Sequence, residues 1–108
     1  MKTITLTMLQ AVRLALMLDG AQGQRKDLGI LQDIRRRLNL PEETLTKYVR
    51  PIPGGLAIAE EVTLLPSFEM QIAPAEIRRL VEVIDAQTFI VRDLTWLDPL
   101  VEQLLSPA

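Results

Sequence analysis

Two prolines and two glycines fall within Pro51-Ile52-Pro53-Gly54-Gly55. No regular helix passes through such a run, because proline lacks the amide that a helix interior needs and glycine favours turns. The chain is therefore read as two stretches on either side of this interruption, and the patterns differ between them.

Before it, apolar residues recur at helical spacing. Leu9, Val12 and Leu16, with Met8 and Ala15 beside them, predict a helix from about Thr7 to Leu18, stopped by Gly20. Thr7 and Gln10 have capping-box spacing, with Thr5 as a competing cap. Leu28, Leu31, Ile34 and Leu38 predict a second helix over Arg25–Leu38, closed by Asn39. Pro41 fits the first turn of a short third helix reaching Tyr48, with Glu42 and Glu43 where the helix dipole favours negative charge.

After it, the segment from Leu56 to Ala73 reads as extended. Phe68, Met70 and Ile72 alternate with Glu69 and Gln71, as in a strand with one buried face. Pro74 opens a helix to about Ala86, where Ile77, Leu80, Val81 and Ile84 make the clearest amphipathic stripe in the chain. A break near Gln87 and Thr88 precedes a last stripe of Leu97, Leu100, Val101 and Leu104, with Asp98-Pro99 as cap and first turn or as a kink. The expected architecture is one α+β domain over residues 1–108, mostly helical with four to five helices. A small antiparallel sheet or hairpin lies in its middle.

The composition narrows the chemistry. The sequence has no Cys and no His, which removes disulfides, thiolate metal sites, the commonest general base and the commonest metal ligand. Neither a cofactor nor a metal is expected, and the reading is non-enzymatic. Carboxylates are plentiful, yet Glu60 and Glu61, if on a strand, point to opposite faces and form no acid/base pair. No apolar run approaches the roughly 18 residues that span a membrane, and no small-residue cleavage site follows the Met1-Lys2 opening, so a cytoplasmic protein with no membrane partner is expected. Apolar residues make up 48% of the chain. Either they pack one leucine-rich core, or they leave surface for a second copy and a homo-oligomer.

Net charge is −2, but residues 1–54 hold nine Lys/Arg against five Asp/Glu, while residues 55–108 hold three against nine. Arg35, Arg36 and Arg37, with Lys47 and Arg50 downstream and Tyr48 as a stacking surface, are the candidate ligand-binding residues. Guanidinium groups match the oxygens of phosphates and carboxylates. The competing reading is a solvated run that complements the dipole at a helix C-terminus. If the run binds an anionic partner, replacing all three arginines with Ala weakens that binding and leaves the fold intact. The stretch Ile34–Val49 also has helix-turn-helix spacing, and the segment from Pro53 can form a wing, which makes DNA an alternative partner. Glu42, Glu43 and the acidic net charge count against it.

The order of features, from Met1-Lys2 and the Leu-rich first helix through Asp19-Gly20, Leu31-Gln32-Asp33-Ile34-Arg35-Arg36-Arg37-Leu38, Pro41-Glu42-Glu43, Phe68-Glu69-Met70-Gln71-Ile72 and Ala75-Glu76-Ile77, resembles a family of small, uncharacterised bacteriophage and prophage proteins. The Pro/Gly-rich middle and the Trp96-Leu97-Asp98-Pro99 ending depart from that layout. The resemblance implies an accessory protein in the host cytosol that interferes with host defence. It would do so by sequestering a host protein or an anionic nucleotide signal, and it brings no catalytic residues.

Overall fold

The computed structural model describes residues 1–53, 55–87, 89 and 91–106. The chain begins with a strand that the periodicity of the sequence had not marked. In β1 (Lys2–Leu6) Ile4 and Leu6 are buried while Thr3 and Thr5 are exposed, and the strand pairs antiparallel with β4 (Phe68–Ile72). Ile4 lies opposite Met70 and Leu6 opposite Phe68, so the apolar residues of both strands share one face. Five residues at the start of a chain carry too little alternation to announce a strand whose partner is most of the sequence away.

β1 runs directly into α1 (Met8–Asp19). The capping box expected at Thr7 is present: the Thr7 hydroxyl accepts from the Gln10 amide at 3.2 Å, and the Gln10 side-chain oxygen accepts from the Thr7 amide at 2.9 Å. The buried face is rotated from the expected one. Ala11, Val12, Leu14, Ala15 and Leu18 are enclosed, whereas Met8, Leu9, Leu16 and Met17 are only half-buried. A helix surrounded on most sides buries its small residues as readily as its leucines, so the leucine spacing alone misplaces its outer face.

Helix α2 (Arg25–Arg37) buries Leu31 and Ile34, and it ends as expected beside Asn39, which takes a left-handed conformation with φ of 51°. Asparagine tolerates that region better than other side chains because its short amide bonds locally. Pro41 stands just before α3 (Glu42–Tyr48), one residue earlier than the expected first-turn place. The chain then forms an antiparallel hairpin of β2 (Val49–Ile52) and β3 (Gly55–Ile58), with Val49 opposite Ile58. Of the Gly54-Gly55 pair in the Pro/Gly-rich run, Gly55 begins β3 and Gly54 lies outside the described residues.

Two elements of the second half differ from expectation. The extended stretch is interrupted: Glu60–Leu64 forms a 3-10 turn that sinks Val62 fully into the core, so Glu60 and Glu61 are not on a strand. Helix α5 (Leu94–Leu105) starts before Asp98, so Asp98 is not its cap and Pro99 lies inside it. Pro99 and Thr95 are both exposed, so a carbonyl left without an amide donor is close to water. Helix α4 (Pro74–Ala86) has the expected bounds and buries Leu80 and Ile84. The break after it falls at Gln87, while Thr88 lies outside the described residues.

The expected α+β fold is therefore present, with five α-helices and two small antiparallel ladders among the described residues, one of them the hairpin in the middle. The buried faces meet in one cluster that includes Ile4, Leu6, Leu14, Ile34, Ile72, Leu80 and Leu100. The free edge of β1 is covered by α5. Gln103 accepts from the Thr5 amide at 2.8 Å and donates to the Thr5 carbonyl at 2.7 Å, and Lys2 reaches Ser106. Because Leu80 is fully enclosed, Leu80→Ala is expected to cost about 2–5 kcal/mol, measured by urea unfolding.

Candidate functional site

The expected cationic site lies where α2, the Asn39 turn, α3 and the hairpin follow one another, and the structure separates its members. Arg35 is turned inward, with its side chain 19% exposed. Its Nε donates to Asp19 Oδ1 at 2.9 Å, and Nη2 donates to the Leu40 carbonyl at 2.7 Å. It thus fastens the end of α1 and the turn before α3 to α2. It also stands between two open clefts, of about 560 Å³ beside Arg25, Leu28 and Gln32 and about 270 Å³ beside Arg36 and Pro41.

Arg37 is a second fastener. Its guanidinium makes a two-pronged bond to the Glu76 carboxylate, with Nη1 donating to Oε1 at 2.7 Å and Nη2 to Oε2, and Nη1 also reaches the Gln71 carbonyl at 3.1 Å. Glu76, only 13% exposed, accepts in addition from the Ala73 amide at 2.8 Å. One ion pair therefore joins α2 to the end of β4 and the start of α4. The hydrogen bonds from Arg37 hold the Glu76 carboxyl below the usual carboxylate range, against a smaller opposing push from desolvation and with help from the Ala73 amide.

The remaining candidates stay on the surface. Arg36 is exposed and makes only a 3.5 Å pair with Asp33 one turn back, an interaction worth little in water. Lys47 lies 5.3 Å from the centre of the Tyr48 ring, and Arg50 projects from β2. Tyr48 itself is half-buried against the core, which leaves less of its ring for stacking. Glu42 and Glu43 occupy the exposed first turn of α3, the end that a recognition helix presents to base edges. On the hairpin Ile52 and Leu56 are both exposed. The expectation that all three arginines can be removed without harm to the fold does not survive, since two of them hold segments together.

Sequence reasoning did not find a second surface, at the start of α1. The rotated outer face of α1 leaves Leu9 between two apolar pockets. One, of about 370 Å³, opens toward α5 and is lined by Leu9, Gln10, Arg92, Trp96 and Pro99; the other, of about 250 Å³, opens toward the 3-10 turn and is lined by Leu9, Val62, Leu65 and Ser67. Thr7 contributes to both. Large exposed apolar side chains flank these linings in sequence: Leu64 is 84% and Val91 85% exposed, and Leu94 is exposed too. Trp96 packs edge-on against Phe89, with ring centres 6.3 Å apart, and its carbonyl accepts from the Gln10 side chain at 3.2 Å. The only signal for this surface is the unequal burial of α1, which shows once its neighbours are in place.

Compared with protein families, curated proteins and solved structures, the chain has no significant match. Among the described residues no helix is long and apolar enough to cross a membrane.

The Arg37–Glu76 pair carries a pH signature. With its folded pKa depressed, Glu76 contributes stability that is fully present above the unfolded carboxylate value of about 4.3 and is lost as pH falls through the folded value. Glu76→Gln is expected to cost about 1–3 kcal/mol at pH 7. The gap between wild type and variant in urea unfolding should close progressively below about pH 4.

Proposed function

We propose that the chain is a non-enzymatic binding protein and that its working surface is the apolar groove around Leu9 at the start of α1. The observation that carries this reading is the pair of apolar pockets that share Leu9, with exposed Leu64, Val91 and Leu94 next to their linings in sequence. Neighbouring apolar pockets open to water are costly to leave unfilled and mark interaction sites. The absence of His and Cys from the sequence favours binding over turnover. The resemblance to small bacteriophage and prophage proteins extends the proposal to a host factor as the partner, met in the host cytosol. The nucleotide version loses weight, because Arg35 and Arg37 already have intramolecular partners.

Native mass spectrometry of gently purified protein tests the reading and reports the subunit number expected of a homo-oligomer. Leu64→Asp with Val91→Asp changes two side chains that touch little, so folding is expected to be unaffected. A partner mass retained by wild type and absent from this variant is the expected result. Equal retention by both would place the binding surface elsewhere.

A DNA-binding regulator is the second reading, favoured by the succession of α2, the left-handed Asn39 turn, α3 and the β2–β3 hairpin. If it holds, affinity for duplex DNA falls steeply with salt, and replacing Arg36, Lys47 and Arg50 with Ala flattens the log–log slope by about 0.9 for each phosphate no longer neutralised. A salt-independent or absent interaction would dismiss it.

A further inference from the structure

Resting on the binding reading above, we propose that the α1 groove docks an acidic amphipathic segment of a partner protein, its apolar side chains in the two pockets beside Leu9 and its carboxylates against Arg92 and Arg13. Among the described residues lining the pockets, Arg92 alone is charged. It is exposed and makes no ion pair among the described residues. Arg13 lies one helical turn beyond Leu9 and Gln10, on the same face of α1. It too has no ion pair among the described residues.

The hydrogen bonding of this corner points the same way. Among the described residues, the buried side-chain atoms left without a partner are Arg13 Nε and Trp96 Nε1. Both are donors; Trp96 lines the larger pocket, and Arg13 stands one turn along α1 from Leu9, outside both linings. Buried donors are nearly always satisfied, so an indole N–H left without a partner in the wall of a pocket favours an occupant that brings acceptors, with the wall adjusting around it. A carboxylate is the strongest such acceptor for a guanidinium.

A second copy of this chain fits less well. A two-fold arrangement brings the same patch from both copies together, which doubles the cations at the contact and adds no carboxylate from the pocket linings. Docking onto some other, acidic face of the chain is a head-to-tail contact, which gives rings or open filaments and shows as concentration-dependent self-association.

The test is selection from a displayed library of random peptides against the immobilised full chain, followed by titration of the chosen peptides by emission of Trp96, the single tryptophan. Enrichment of sequences combining Leu or Phe with Asp or Glu is expected, with a saturable change in Trp96 emission. Arg92→Glu, an exposed change, should weaken binding by about tenfold or more. Arg13→Gln, with the helical content checked by circular dichroism, should weaken it in the same direction. No enrichment, enriched sequences without carboxylates, or equal affinity for the Arg92→Glu protein would overturn the proposal. So would a concentration-dependent self-association abolished by Arg92→Glu in sedimentation. If Leu64→Asp with Val91→Asp releases a cellular partner while Arg92→Glu does not, the groove stands as the binding surface and its acidic occupant falls.

Discussion

The antiparallel pairing of β1 with β4 is the constraint on which the rest of the molecule leans. It places Ile4 and Leu6 beside Met70 and Ile72 and closes the start of the chain against its second half. Because β1 leads without a loop into the Thr7 cap, the same pairing sets where α1 begins and which way it points. Gln103 then holds α5 along the free edge of β1 through a reciprocal pair of bonds to the Thr5 backbone. The pockets around Leu9 lie between elements whose positions follow from that one ladder.

The arginine run shows how a chemically suggestive motif is divided by packing. Consecutive helix positions fan over a wide arc, so three adjacent guanidinium groups cannot face one ligand. Arg35 points to the end of α1 and Leu40, Arg37 to β4 and α4, and Arg36 to solvent. A second link between α2 and α4, from Arg79 to Asp27 at 3.0 Å, works with Arg37 and Glu76 to hold these two helices together. Charged hydrogen bonds of this kind register one element against another, which apolar packing does less selectively.

At the start of α1 the balance is reversed. There Leu9 stands in the walls of two apolar pockets, and the larger one is lined by the exposed Arg92 and by Trp96, whose buried indole N–H has no partner among the described residues. An unpartnered buried donor and apolar surface left in water cost free energy in the isolated chain, and a binding partner would recover it.

Much of the fold was legible from local pattern. The Thr7–Gln10 cap, the bounds of α4, the stop at Asn39 and the alternation in β4 follow from spacing and turn chemistry alone, since each depends on residues within a turn or two of one another. The absence of His and Cys likewise limits the chemistry whatever the fold. What the tertiary structure decided was the strand nature of β1, the outward face of α1, the 3-10 turn under Val62, and which cations are engaged. Each of those depends on a partner distant in the chain: β4 for β1, Glu76 for Arg37, Asp19 for Arg35. A side chain's type is written in the sequence, but whether it is paired, buried or left open is set by what folds against it, and that is a property of the whole chain.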